Sequence, residues 1–284
     1  MNGVGGQRPD RDFGVIITNR DRSDPLDACL ASLAAQTVRP AWVVLSDLSS
    51  GERHQVALVA LAASYQISYL RIEHHGGWNK PLAFNTALRW MPAVECVVQL
   101  DADAILHPRL LSTTAAVLET ADAFCCAPRF APPHFTAWTT PGDIAKYQQM
   151  LTQCGPVGQW AVGVFMAVPM AWLLGERGMD EAFTGWGHED TELWLRASRS
   201  LRCRKDVSGS MLIHQPHPRQ PDAAAGGQNR SRLVQRMTDP GHPVNPSGWG
   251  LGRVTQHLLR PGIRAPVRAV SGRAPGEPLR AAAS

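Results

Sequence analysis

The chain has 284 residues, 44% of them hydrophobic, enough for one large domain or two small ones with a sizeable core. Only 18% are charged and the formal net charge is +4, yet nine Arg, no Lys and three acids fall beyond residue 220, so the first 220 residues carry −2 and the remainder +6. The main domain therefore has no global pull toward nucleic acid.

Residues 1–12 are polar and glycine-rich and read as a loose arm, with no apolar stretch of the kind a secretory signal needs. "FGVIIT" from Phe13 is a short β-branched run, a buried strand. "DPLDACLASLAAQT" follows as a helix, with Asp24 as N-cap, Pro25 at the first helical position, and Leu26, Leu30 and Leu33 on one face. "AWVVLS" is a second buried strand ending at Asp47, "ERHQVALVALAASY" a second helix and "SYLRIE" a third strand. The loop "HHGGWNK" leads into "PLAFNTALRW", a helix opened by Pro81, and "CVVQLDADA" is a fourth strand running into two aspartates.

Near-continuous apolar strands alternating with helices predict an α/β fold with a mainly parallel sheet covered on both faces. Ligands bind such sheets at the carboxyl ends of the strands. Thr18 to Arg20, Asp47 and Asp101 to Asp103 all fall there.

Beyond Leu106, "HPRLLSTTAAVLETA" reads as helix, "AFCCAPRF" as strand, "APPHFTAWTTPGD" as a proline-rich loop, and "WAVGVFMAVPMAWLL" as strand then helix. Residues 12–220 are expected to form the main domain. Residues 221–284, rich in Pro, Gly, Ala and Arg, are expected to be a partly disordered tail with one short helix in "PDAAAGGQNRSRLVQRM". The six cysteines include no C-x-x-C and are expected to be reduced thiols. The longest apolar run, from Ala161 to Leu174, contains Pro169 and is shorter than the ~20 residues of a spanning helix. A soluble, cytoplasmic protein is expected.

Three segments carry candidate chemistry. In "QLDADAI", Asp101 and Asp103 point the same way on a regular strand and offer hard oxygen ligands to one Mg2+ or Mn2+, or simply end the strand as turn formers. In "LIHQPHP", His214 could add imidazole to the same metal, with His217 the competing choice, or either could be a loop histidine. In "GWGHEDTELW", Glu189 and Asp190 suit the first turn of a helix, whose dipole favours acids. That reading leaves Gly185-Trp186-Gly187 without a reason, whereas a cleft-facing carboxylate is a general base and an exposed Trp can pack on a sugar ring.

In order, "FGVIITNRDR", "AWVVLSDLSS", "GGWNKPLAFNTAL", "QLDADA" and "GMDEAFTGWGHEDTELWLRA" resemble family 2 glycosyltransferases of the GT-A fold, over about Phe13 to Pro218. The acceptor-side segment is most similar to galactosyltransferases and chondroitin-polymerase-type enzymes. The resemblance implies a metal-dependent inverting transferase that moves one sugar from a nucleotide-sugar donor, a UDP-sugar first, to the hydroxyl of a glycan or other acceptor. It implies that Asp47, Thr18 and Arg20 line the nucleobase pocket and that Lys80 lies near the diphosphate. Asp101 would touch the ribose or the metal, and Asp103 and His214 would ligate Mn2+ or Mg2+. Asp190 would be the base, Glu189 would hold donor sugar or acceptor, and Trp186, Gly187 and His188 would line the acceptor site.

The chain departs from the family in Ser46-Asp47-Leu48, where two acids and a glycine are usual, and in His188, where related transferases often have glycine. The Q-x-x-R-W motif of processive synthases is absent, which favours transfer of single sugars. A non-catalytic nucleotide-sugar-binding protein of the same fold is the alternative. A nucleotidyltransferase would want a glycine-rich phosphate loop, and "TNRDRSDP" has no glycine. The basic tail could add a weak peripheral contact with anionic lipid or an acidic partner.

Overall fold

The computed structural model describes residues 12–137, 142–217 and 223–263. The expected N-terminal arm, part of the proline-rich loop and the last 21 residues lie outside these. In chain order the elements are β1 (Phe13–Asn19), α1 (Leu26–Ala34), β2 (Trp42–Leu48), α2 (Glu52–Tyr65), β3 (Ser68–Glu73), α3 (Lys80–Trp90), β4 (Cys96–Asp101) and β5 (Ala104–Leu106). They continue as α4 (Leu110–Val117), β6 (Ala123–Cys126), β7 (Arg129–Phe130), α5 (Ile144–Thr152), β8 (Phe165–Pro169) and α6 (Met170–Gly175). The chain ends through α7 (Glu189–Ser200), β9 (Cys203–Asp206), β10 (Leu212–His214), α8 (Ala223–Thr238) and β11 (Arg253–Leu258).

The main sheet has the order β11-β3-β2-β1-β4-β8-β6-β9. Strands β3, β2, β1 and β4 are parallel, as the alternation predicts, and β8 runs antiparallel between β4 and β6. All seven residues of β1 are buried because helices cover both faces. Val15 and Ile17 join the cluster with Leu26, Leu30 and Leu33 of α1, while Ile16 joins Phe84 and Leu88 of α3 on the other face. Each such fully buried side chain contributes about 1.5–3 kcal/mol. The parallel register sets Thr18 opposite Ser46 on one side and Asp101 on the other, so the strand-end polar residues form one row.

A small second sheet, β5-β10-β7, stands beyond the end of β4. Its antiparallel ladder pairs His214 with Ala104.

Two local expectations are corrected. Pro25, not Asp24, occupies the N-cap of α1 and no side chain caps it; Asp24 instead accepts from the Ser23 hydroxyl at 3.4 Å. Helix α3 starts one residue early, at Lys80, because Asn79 caps it and accepts from the Leu82 amide at 2.9 Å.

The expected tail is built into the fold as far as Ile263. Helix α8 packs on α7, and β11 extends the main sheet antiparallel to β3. Arg232 and Arg236 both pair with the buried Asp180, at 2.9 and 3.0 Å, so part of the tail's positive charge is committed inside the molecule. All six cysteines are free thiols. Among the described residues no helix is long and apolar enough to cross a membrane.

Candidate functional site

Two clusters meet at the carboxyl ends of the parallel strands. The first surrounds Asp103, which is fully buried just beyond β4. The β5–β10 ladder and a backbone bond from the Gln215 amide to the Asp103 carbonyl at 2.8 Å draw in a segment from far along the chain. His214 Nε2 then lies 3.4 Å from Asp103 Oδ1, and His217 Nε2 lies 3.4 Å from Oδ2. The three ligand atoms lie within 4.8 Å of one another. The sequence left His214 and His217 as alternatives; the structure brings both. Arg22 Nη1 donates to Asp103 Oδ2 at 2.6 Å, while Oδ1 is buried without a hydrogen bond among the described residues. A carboxylate oxygen left unbonded beside two imidazoles fits a divalent cation.

The second cluster surrounds Lys80 Nζ, which sits 2.6 Å from Asp101 Oδ1, 3.2 Å from Asp190 Oδ2 and 3.3 Å from the Gly163 carbonyl. Asp101 therefore turns toward Lys80, and it is absent from the group around Asp103. The shared facing expected of the D-x-D requires a regular strand, and β4 ends at Asp101. Burial pulls the Lys80 ammonium down, but Asp101, Asp190 and Glu189 together hold it above its ordinary value.

Helix α7 starts at Glu189, so Glu189 and Asp190 are first-turn acids, as the sequence indicated. Burial, then the Asp190 charge, push the Glu189 carboxyl up to about 8. Burial also raises Asp190, against the opposing pull of Lys80. Glu189 Oε2 and Asp190 Oδ1 are buried with no hydrogen-bond partner among the described residues.

Asp190 can come this close because residue 163 is glycine. The Asp101 amide bonds the Val164 carbonyl at 3.1 Å, which sets Gly163 beside the end of β4. A Cβ on Gly163 would lie 1.8 Å from Asp190 Oδ2. The Gly163 carbonyl also accepts from the Gln99 amide. Sequence reasoning passed over Gly163, Gln99 and Arg22. Arg22 was visible in "TNRDRSDP", but nothing local marks the other two.

The remaining residues hold the surroundings. Asp47 is fully buried and accepts from Tyr69 Oη at 2.7 Å, Arg71 Nη1 at 2.8 Å and the Ser50 amide at 2.9 Å. Burial, then the Asp47 charge, hold the Tyr69 hydroxyl well above its ordinary value. Three of about four acceptor positions on this carboxylate are thus in use. Thr18 is buried at the end of β1, and Arg20 Nη1 donates to the Gly76 carbonyl at 2.7 Å. In the segment before α7, Gly185, Gly187 and His188 all have positive φ (72°, 103° and 72°) and Trp186 is 64% exposed. Trp160, which the sequence reading did not single out, is 89% exposed, three residues before Gly163.

Comparison with known proteins bears on the family and the fold. The model described as glycosyltransferase like family 2 matches residues 9–224. No curated protein matches the sequence. Among solved structures, mannosyltransferase PcManGT from Pyrobaculum calidifontis, in complex with GDP-Man and Mn2+, is 18% identical with a TM-score of 0.53, covering 82% of this chain and 66% of that one. TarS 1-349 from S. aureus, in complex with UDP, is 16% identical with a TM-score of 0.54, covering 80% and 72%. GalNAc-T7, with UDP, GalNAc and Mn2+, is 14% identical with a TM-score of 0.56, covering 79% and 48%. The chain thus spans just under two thirds of the mannosyltransferase and about half of GalNAc-T7. The family match covers both clusters and most of the fold, and the chain belongs to glycosyltransferase like family 2, with the GT-A fold.

Proposed function

We propose that this protein is a metal-dependent, inverting glycosyltransferase that moves one sugar at a time from a nucleotide-sugar donor to an acceptor hydroxyl. UDP-sugars are the first donors to test. The observation that carries the reading is the pair of adjoining clusters. A carboxylate–imidazole group suited to a cation stands two residues from Asp101, which shares Lys80 with the buried carboxylate Asp190.

Asp103, His214 and His217 would hold the cation. Two imidazoles in the set favour Mn2+ over Mg2+, which prefers oxygen ligands. When bound, the cation supplies Lewis-acid stabilisation of the departing nucleoside diphosphate. Asp190, whose side chain is 20% exposed, takes the acceptor proton, and the Lys80 charge favours its ionised form against the effect of burial. Burial and the Asp190 charge push the Glu189 carboxyl up to about 8, which favours its protonated form, and in that form it would donate a hydrogen bond to the donor sugar or the acceptor. Attack on the face opposite the leaving group inverts the anomeric centre. Trp186, with Gly187 and His188, offers the acceptor sugar an apolar wall. On this reading Thr18, Arg20 and Asp47 would line the nucleobase pocket, and Asp101 would touch the ribose while it shares Lys80 with Asp190.

Calorimetric titration with UDP, GDP and dTDP tests this, each with Mn2+ and again with chelator. Binding of one nucleotide that needs Mn2+ supports the reading and selects the donor sugars to screen. No binding of any would leave a fold without the proposed activity. The anomeric configuration of the product, read by proton NMR, tests inversion.

A further inference from the structure

We infer that Asn229 of α8 is a positioning residue that clasps the acceptor loop, so that a segment beyond the family match governs acceptor binding. The inference rests on the proposed transferase reading for its functional half alone.

The loop Thr184 to His188 has three residues at positive φ, one of them His188, for which that conformation is uncommon and costly. Such backbone makes no sheet ladder and needs other partners. The Gly185 amide finds the Trp78 carbonyl at 2.7 Å. The Thr184 and Gly187 carbonyls both accept from Asn229 Nδ2, each at 2.9 Å. Asn229 is 3% exposed, and the opposite amide orientation would aim an oxygen at two carbonyl oxygens, so the assignment is fixed by chemistry. One side chain thereby ties the two ends of the segment that presents Trp186, and Gly187 is two residues from Glu189.

Asn229, Arg232 and Arg236 are spaced three and four apart and share one face of α8. Arg232 and Arg236 grip Asp180 at 2.9 and 3.0 Å, and the Arg232 guanidinium lies 5.6 Å from the Phe183 ring centre. Further along, Asn245 donates to the Arg177 and Met179 carbonyls at 2.9 and 2.7 Å and accepts from the Glu181 amide at 2.9 Å. The Gly250 amide donates to Glu181 Oε1 at 2.6 Å. The family match ends at residue 224, so Asn229, Arg232, Arg236, Asn245 and Gly250 lie outside it, while the residues they hold lie inside.

The test compares the full chain with Asn229→Asp, which keeps shape and loses both donor hydrogens, and with Asn229→Ala. Hydrogen exchange is followed by mass spectrometry, and nucleotide affinity is measured with Mn2+. Losing two hydrogen bonds should speed exchange at 184–190 by about tenfold, with β1, β4 and the rest of α8 unchanged. Nucleotide affinity should hold. With the donor so identified, the loss in kcat/KM should fall on the acceptor KM, about tenfold, not on kcat. Unchanged exchange at 184–190 in both variants overturns the clasp. So does faster exchange spread through α8 and β4, or a loss carried by kcat alone, since these report general destabilisation. If the wild type binds no nucleotide, the transferase reading fails, and the exchange result still decides whether Asn229 holds the loop.

Discussion

Lys80 Nζ lies 3.2 Å from Asp190 Oδ2, joining the first residue of α3 to the first turn of α7 across 110 positions of sequence. The side chain of Lys80 is 5% exposed, so this ammonium is the internal counter-charge of both Asp101 and Asp190. Replacing it by an isosteric apolar group leaves two carboxylates without their cation. Lys80→Met should cost about 3–5 kcal/mol of stability, seen as a lower midpoint in chemical unfolding. In surviving folded protein the acidic limb of the transfer pH profile should move to higher pH, because Asp190 loses the charge that favours its ionised form. A midpoint equal to wild type would contradict the pairing.

Asp190→Asn keeps the volume and removes the base. Transfer should fall by about 10²–10⁴-fold, while nucleotide affinity with Mn2+ stays within about twofold of wild type. Steady-state transfer and calorimetry measure the two quantities on one preparation. Wild-type turnover would remove Asp190 from the role.

Gly163→Ala tests the same carboxylate from its neighbour. A Cβ 1.8 Å from Oδ2 and 1.9 Å from Cγ forces the Asp190 side chain away from Lys80. Transfer should drop at least about tenfold with nucleotide binding retained. If the rate is unaffected, the close approach of Gly163 to Asp190 has no bearing on turnover.

Asp103→Ala should abolish the Mn2+-dependent part of nucleotide binding, leaving the affinity seen with chelator. His214→Ala and His217→Ala should each weaken Mn2+ binding by about tenfold or more, as loss of one ligand from a three-ligand group would. Retained Mn2+ affinity in His217→Ala would confine the site to Asp103 and His214.

Glu189 sets a pH dependence of stability. Its ordinary value is 4.5 and burial raises it to about 8 in the folded chain. Between these values the folded chain holds a proton that the unfolded chain has released, so stability falls as pH rises through that window. Glu189→Gln removes this slope. Its melting temperature relative to wild type should therefore rise steadily from pH 5 to pH 8.5. A gap that stays constant with pH would show that the carboxyl is not the buried acid described.

The sequence by itself determined the alternation of strands and helices, the row of polar residues at the strand ends, and the first-turn placement of Glu189 and Asp190. These are local properties: side-chain period, caps and breakers act over a few residues, so they can be read along the chain. It also carried the family resemblance, because "FGVIITNRDR", "AWVVLSDLSS", "GGWNKPLAFNTAL", "QLDADA" and "GMDEAFTGWGHEDTELWLRA" follow one another in the family's order. The tertiary structure alone decided who faces whom. Asp101 and Asp103 part company because β4 ends between them, and His214 and His217 both reach Asp103 because β10 pairs with β5. Gly163 is ordinary in "WAVGVFMAV" until Asp190 packs against it. Helix α8 contains Gly226 and Gly227, each about 1 kcal/mol less favourable than alanine in a helix, and its Asn229, Arg232 and Arg236 tie it to Thr184, Gly187 and Asp180. Contacts between residues tens of positions apart depend on strand order and helix docking, which no local pattern encodes.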